Sequence, residues 1–596
     1  MYLTGCNYWA SHAGPEMWVN WDETIVREDL RKLSAQNLHT LRVFPNWRDF
    51  QPLTPHKGQK GKHLGYLENP QNPYYLDETM LTRFGAFLDL CHEFGHKCIV
   101  GLLTGWMSGR LFAPTALLDK NLFTDPTALL FEQRFVRGMV TGFKDHPAVY
   151  AWDLGNECNC LSACDDRDTA ANWTSLMANT IRAADPTKPV VSGMHGLTAD
   201  GIWAIKDQGE YCDILTTHPY ARWCNHTYHD KALSFRTTMH ATCETKLYRD
   251  LGGKPCMMEE IGTMGPMMCS NEAAASFIRL NLLSGWANGS EGLLWWCANE
   301  QTNLRTSPFA ENMIERELGL FDKTGSPKPV VAELRRFVRF LQNVPELPKA
   351  KEDAVCILTH DQDQWGVAYM TWCLAKQAGM TLRFVWCEDP LPDAKLYMMP
   401  SVSGIDVISL SQYEALQEKV RRGATLYISN DDGVLSGFEA LTGMQVADSG
   451  IYEDRRTVTV DGKEIPFTRK VRYELQPTTA KVLYRDSEGD AAVSKHCLGE
   501  GIVYYVNFPL EAMLLPLHEA FDGAYHKIYS NLFDLSKKDP HLAVTVHPTS
   551  QGEEYRVYVN HSAVTTQIVL PEGSRILYGS AAIAPFDGCV IICSST

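Results

Sequence analysis

No apolar run in this sequence approaches the eighteen or so residues that a membrane-crossing helix needs. The opening stretch Met1-Tyr2-Leu3-Thr4-Gly5-Cys6-Asn7 has no basic region, no apolar core and no small-residue cleavage site. It reads directly as a strand, so a secretory leader is not expected and the cytoplasm is the expected compartment. Basic charge is scarce: 55 Lys and Arg against 71 Asp and Glu leave a net charge of −16. Such a surface repels phosphate backbones and anionic lipid, which argues against nucleic-acid and membrane partners. Low-complexity segments and solenoid periods are also missing. The 18 cysteines form no pair of two-residue knuckles and lie scattered through strand and helix patterns, as reduced, small apolar residues do.

What is present is an ordinary globular composition, 45% hydrophobic and 21% charged, able to bury a sizeable core. At roughly 150 residues per domain, 596 residues allow about four units, or one large barrel with accessories. Over the first 345 residues a short apolar strand is followed by a helical pattern about eight times. The expected strands are 3–8, 39–44, 97–103, 149–154, 189–193, 213–217, 255–260 and 292–296. Between them Val26, Leu30 and Leu33 share a helix face, as do Leu81, Phe84 and Leu88, and Phe131, Phe135 and Met139. Eight such units predict a closed (β/α)8 barrel over 1–345, with a doubly wound open sheet as the competing arrangement.

Beyond residue 350 a second βαβ series, too short for another barrel, predicts a small doubly wound α/β domain over 350–535. The alternating tail 540–596 predicts a small all-β domain.

In a barrel of this kind, catalytic groups project from the C-terminal ends of the strands. Those ends read, in order, Arg42; Asn156-Glu157; His218-Pro219-Tyr220; Glu259-Glu260-Ile261-Gly262; and Trp295-Trp296. Two glutamates, on strands four and seven, then face each other across one mouth. A protonated and an ionised carboxyl at suitable spacing is what cleavage of a glycosidic bond requires.

At these residues the chain resembles clan A glycoside hydrolases, most nearly family 5. The matching pieces are Leu41-Arg42-Val43, Gly155-Asn156-Glu157, Thr217-His218-Pro219-Tyr220, Glu260-Ile261-Gly262 and Leu294-Trp295-Trp296. No single piece is specific; five in order on the expected strands are. The resemblance spans residues 1 to about 345 and implies a retaining double displacement with no metal and no cofactor, Glu157 being the acid/base and Glu260 the nucleophile. Arg42 and Tyr220 are then placed to keep Glu260 ionised, His218 to stand near Glu157 or a sugar hydroxyl, and Asn156 to grip the 2-hydroxyl. Strand alternation should send one of Glu259 and Glu260 inward and the other into the wall, and the Glu-x-Gly pattern of the family it resembles selects Glu260.

Only one of Trp295 and Trp296 can face the mouth, and Trp295 is taken as the sugar-stacking platform. Trp9, Trp47, Trp106 and Trp223 add aromatic surface at the same end, and the loops 45–75 and 104–125 are placed to close one side of a cleft. Cys158, Cys160 and Cys164 follow the acid/base closely enough to raise a structural zinc, but their spacing and the lack of a second pair favour free thiols. The α/β series resembles the trimerisation domain of family 42 enzymes. Without a cysteine in Leu426-Tyr427-Ile428-Ser429-Asn430-Asp431 it is expected to pack and to build a dimer or trimer rather than to catalyse. Within family 5 the chain most resembles the exo-β-mannosidases, and that resemblance implies release of terminal β-mannose from short oligosaccharides. A β-galactosidase, a β-glucosidase, a transglycosylase and an inactive carbohydrate-binding barrel are the rivals.

Overall fold

The computed structural model describes residues 2–53, 56–57, 64–65, 71–228, 230–306, 309–311, 313–344, 346–517, 523–536 and 539–594. Of the loop 45–75, residues 54–55, 58–63 and 66–70 lie outside the described residues. The chain divides into two units, Met1–Tyr220 with Gly252–Trp286 and Ser290–Glu346, and Ala221–Leu251 with Ala287–Gly289 and Leu347–Thr596. Among the described residues no helix is long and apolar enough to cross a membrane.

In the first unit eight parallel strands form one sheet: β1 Leu3–Asn7, β2 Thr40–Val43, β3 Lys97–Leu103, β4 Val149–Gly155, β5 Val190–Val191, β6 Leu215–Thr217, β7 Cys256–Ile261 and β8 Gly292–Trp295. Their order is β6-β7-β8-β1-β2-β3-β4-β5. The ring closes through a parallel bridge from Val191 to Ile214 and a bond of 3.0 Å from the Ser192 N–H to the Ile214 carbonyl. This is the expected barrel, and all eight predicted strands are in it.

Helix starts follow from local chemistry. Asp22, Asp77 and Asp125 each accept two backbone N–H bonds at the heads of α1 Glu23–Ala35, α2 Glu78–Glu93 and α3 Pro126–Phe143. α3 also opens on proline, whose missing N–H is not needed there.

The barrel interior starts with a layer of Leu3, Ile99, Ala151, Val191, Met257 and Leu294. Each large apolar side chain in it contributes about 1.5–3 kcal/mol by burial. This layer sets the parity of the strands: two residues further along, Gly5, Gly101 and Asp153 also face inward. Neither glycine position has free room for a side chain. A Cβ on Gly101 would stand 3.3 Å from the Phe44 ring and 3.4 Å from the Asp153 carboxylate, and one on Gly5 would meet the Thr40 carbonyl at 1.8 Å.

The second unit holds a seven-stranded sheet. β9 Ala354–Leu358, β10 Leu382–Trp386, β11 Leu396–Val402 and β12 Thr425–Asn430 are parallel, and a long hairpin, β13 Met444–Val460 with β14 Lys463–Pro477, is inserted after them. β15 Lys481–Arg485, β16 Ala491–Leu498 and β17 Gly501–Val506 then complete the order β10-β9-β11-β12-β17-β16-β15. β17 joins in parallel and the last two strands antiparallel, so the expected doubly wound sheet carries an antiparallel edge. Ser401, one residue before the end of β11, has φ +44°. Its hydroxyl and those of Tyr427, Ser429 and Tyr529 all donate to the buried carboxylate of Glu511.

The tail forms a four-stranded antiparallel sheet of Leu542–Pro548, Glu553–Asn560, Gly588–Ser594 and Arg575–Tyr578. Its core includes the thiols of Cys589 and Cys593.

Candidate active site

Arg42, at the C-terminal end of β2, is fully buried and organises the barrel mouth. Its Nε donates to Asp153 at 2.8 Å, one Nη to Glu260 at 2.7 Å and to the Asn156 carbonyl oxygen at 3.0 Å, and the other Nη to the Gly155 carbonyl at 3.1 Å. Glu259 Oε1 stands 3.2 Å from the same Nε. Below the guanidinium lies the Phe44 ring, 4.8 Å away. Three carboxylates thus converge on one cation; burial and the Glu259 charge push the Asp153 carboxyl up, and the Arg42 guanidinium opposes that shift.

Glu259 corrects one expectation. β7 loses its register with β8 between Met258 and Ile261, and this irregularity lets both consecutive glutamates reach inward instead of sending one into the wall. Glu260 takes the position facing Tyr220, whose hydroxyl donates to Oε2 at 3.1 Å. Burial raises the Glu260 carboxyl, and the charges of His218 and Arg42 oppose that shift.

Glu157 sits just beyond β4 in the left-handed region, φ +46°, a conformation that costs a non-glycine residue about 1–3 kcal/mol. Its N–H is held by the Gly193 carbonyl at 2.9 Å. Gly193 has no alternative, because a Cβ there would come within 2.0 Å of the Gly155 carbonyl and 2.1 Å of the Asp153 carboxylate.

His218 links the acidic groups. Its Nδ1 is 2.8 Å from Glu157 Oε1 and 3.5 Å from Glu260 Oε2, and its Nε2 is 3.4 Å from Glu259 Oε2. Because a carboxylate can only accept, Nε2 carries its hydrogen toward Glu259, and Nδ1 shares a proton with Glu157. Burial disfavours the imidazolium, but the carboxylates of Glu260, Glu157 and Glu259 outweigh it and raise His218 to about 10. On Glu157 burial is likewise outweighed, by the His218 hydrogen bond and the charges of His195, His218 and Arg42, which hold the carboxyl at about 2. One proton therefore belongs to the pair across the neutral range.

A His218→Asn variant tests this. Its alkaline activity limb should move to lower pH, since Glu157 alone must then hold the proton. The stability that His218 confers is fully present below its free value of about 6.5 and lost as pH rises through about 10. The melting-temperature gap between wild type and variant should therefore close over that interval. A gap independent of pH would contradict a charged His218.

The aromatic assignments change. Leu294 faces the barrel interior, so Trp296 shares its side and packs edge-on against Phe44, ring centroids 6.0 Å apart. Trp295 turns into the wall, where its Nε1 donates to the Leu318 carbonyl at 2.9 Å. The mouth-facing indole is thus Trp296, not the expected Trp295. Trp9 and Trp47 are buried packing residues, the first stacked on Phe44 and the second bonded to Gln51. Trp106 stays at the site, half-buried, and its carbonyl accepts from the Asn156 amide at 2.9 Å. Asn156 therefore has its carbonyl on Arg42 and one amide hydrogen on Trp106. Trp223 is 63% exposed and belongs to the second unit.

Two further groups escaped the sequence reading. Glu315 accepts from Ser108 at 2.5 Å, joining the loop after β8 to the hairpin Trp106–Met107 with Arg110–Leu111. Burial and the charges of Glu260 and Glu157 push the Glu315 carboxyl up to about 7, against the Ser108 bond. His195, after β5, has Nδ1 3.6 Å from Glu157 Oε1 and Nε2 3.4 Å from the Cys160 thiol. The three cysteines after Glu157 do not converge: Cys158 points at the Leu103 carbonyl and Cys164 at that of Asp166.

Residues 7–302 match the family model described as cellulase (glycosyl hydrolase family 5). Mannan endo-1,4-β-mannosidase F of Aspergillus clavatus is 26% identical over 247 residues, 38% of this chain and 53% of that protein. The chain spans about half the length of the curated relatives it matches. Among solved structures, an exo-β-1,4-mannosidase from Opitutaceae bacterium strain TAV5 is similar at TM-score 0.77 and 24% identity, over 90% of this chain and 97% of that one. A family 42 β-galactosidase from G. stearothermophilus is similar at TM-score 0.72 and 14% identity, over 99% of this chain and 98% of that one. At these identities the two structures speak to fold, and both extend it into the second unit.

Proposed function

We propose that this chain, whose residues 7–302 match the model of glycosyl hydrolase family 5, is a retaining exo-β-glycosidase releasing terminal β-mannose from short oligosaccharides, the mannose-β-1,4-N-acetylglucosamine linkage among them. The observation carrying the retaining half is a distance: carboxylate oxygens of Glu157 and Glu260 lie within 4.8 Å of each other, with His218 between them. Retaining pairs stand roughly 5–5.5 Å apart, whereas an inverting pair needs roughly 6.5–9.5 Å to admit a water.

In the first step Glu260 attacks the anomeric carbon while the bond to the leaving oxygen breaks and Glu157 delivers its proton there. In the second, Glu157 takes a proton from water as that water displaces Glu260. Arg42 and Tyr220 hold one Glu260 oxygen each, fixing which lone pair faces the sugar. The Asn156 amide, which faces the Trp106 carbonyl and, at 3.9 Å, the Met107 sulfur, is the group assigned to the 2-hydroxyl. The Ser108–Glu315 clasp supports action at a chain end, since it ties two mouth loops together. The mannose preference rests on the likeness to mannosidases in sequence and in fold. A β-galactosidase is the second reading, favoured by a family 42 fold likeness running through nearly the whole chain.

Initial rates on p-nitrophenyl β-mannoside, β-galactoside and β-glucoside decide between them. The mannoside is expected to be turned over at least about tenfold faster than either, the discrimination one hydroxyl's partners typically provide. A galactoside preference would make the family 42 likeness the better guide.

A further inference from the structure

The short turn after Glu157 brings three ligand types together. The turn Cys158–Cys160 is closed by a bond of 2.8 Å from the Cys160 N–H to the Glu157 carbonyl, which folds the Cys160 side chain back toward the acid/base. On the neighbouring strand end, His195 is fixed by Asn159, whose amide donates to the His195 carbonyl at 2.8 Å. The Glu157 N–H to Gly193 bond ties the two segments together. A carboxylate oxygen of Glu157, the Cys160 sulfur and a ring nitrogen of His195 consequently lie within 4.8 Å of one another.

We propose that Glu157, Cys160 and His195 form a binding site for a thiophilic divalent cation of the zinc class, and that filling it silences the enzyme. Thiolate, imidazole and carboxylate are the donor set such a cation takes, and a fourth, open position is left for water. The 3.4 Å separation of the Cys160 sulfur and the His195 Nε2 is close to the edge of a tetrahedron built with bonds of about 2.0–2.3 Å. Solvent reaches the group, since the His195 side chain is 35% exposed and that of Glu157 18%. On binding, the Cys160 thiol gives its proton to solvent and the sulfur bonds the metal; nothing is oxidised or reduced. A bound cation occupies the Glu157 carboxylate, which can then neither carry nor accept the catalytic proton. The silencing, but not the binding, rests on the proposed role of Glu157.

The same three groups do not make a nucleophile triad. Burial and the Glu157 charge push the Cys160 thiol up to about 12, the opposite of an activated sulfur.

Cobalt(II) is the direct probe, because its thiolate complexes show a charge-transfer band that needs no turnover to be seen. The wild type is expected to give that band at one equivalent, to lose activity in parallel with zinc, and to recover both with EDTA. Cys160→Ser is expected to abolish the band, leave basal activity intact and raise the inhibitory zinc concentration by more than about tenfold, at least the loss that a disturbed outer partner brings.

His360, Cys387 and Glu388 form a second cluster of the same types, so Cys387→Ser is the control and should change nothing. A band that survives Cys160→Ser, or disappears in Cys387→Ser, would overturn the proposal. So would zinc inhibition unchanged by Cys160→Ser, which would point to Glu157, His218 and Glu260. A band that depends on Cys160 without loss of turnover would leave the site standing and overturn the silencing.

Discussion

Glu260→Ala is expected to lower kcat/KM by on the order of 10⁴- to 10⁶-fold, the range found when a nucleophile acting as part of a unit is removed. Glu157→Ala should cost less, about 10²- to 10⁴-fold, and the loss should be largest for leaving groups that need a proton. Azide separates the two variants. In the space left by Glu260 it attacks the anomeric carbon directly and gives the glycosyl azide of inverted, α configuration. In the space left by Glu157 it attacks the glycosyl-enzyme and gives the retained, β product.

Glu259→Ala is the necessary third arm, because Glu259 also reaches Arg42 and is next in sequence. It is expected to lose activity through a disordered His218, without azide rescue. Rescue of Glu259→Ala to the α-azide, with none for Glu260→Ala, would exchange the two assignments. The same product anomer from Glu157→Ala and Glu260→Ala would remove the double displacement itself.

How far such a site can be read from sequence depends on which physical constraint places each residue. Period and length placed all eight barrel strands, because a strand buried on both faces must be short and apolar wherever it lies. The strand-end position of Arg42, Glu157, His218, Tyr220 and Glu260 followed from the barrel, where the C-terminal ends of neighbouring strands meet. Parity along a strand was less secure. Trp295 and Trp296 differ by a single residue, and what decides between them is the inward Leu294, a fact of the assembled core. At Glu259 and Glu260 alternation failed outright, because an irregularity in β7 brings both carboxylates inward. No composition signal marks such a bulge.

Asp153 is legible from the sequence alone. A charged residue inside the apolar run Trp152-Asp153-Leu154 has to be paired if it is buried, and the nearest inward cation is Arg42. Glu315 and His195 carried no such sign. Both lie beyond the strand ends, Glu315 in the single turn Ile314–Glu317, and only the closed barrel brings them to the mouth.

Arg42 carries the second large effect, on stability as much as on rate. Its guanidinium is completely buried and within ion-pair distance of Asp153, Glu259 and Glu260. Those carboxylates were brought out of water on the strength of that cation. Removing one partner of a buried ionic group costs about 3–5 kcal/mol, because the other is left charged and unpaired. Arg42→Met should therefore lower the thermal transition of the barrel well beyond the effect of an ordinary surface substitution and abolish turnover.

Arg42→Lys keeps the charge but cannot make forked contacts to Asp153, Glu260, Asn156 and the Gly155 carbonyl together. It should melt between the two and remain nearly inactive. Coupling identifies the cause. If the penalty is unpaired charge, adding Asp153→Asn to Arg42→Met should recover part of the lost stability, whereas independent sites would simply add. An Arg42→Met protein that melts like the wild type, or a double variant worse than the sum of its parts, would mean that packing around Phe44 and the two glycines holds the mouth together and that the guanidinium serves catalysis alone.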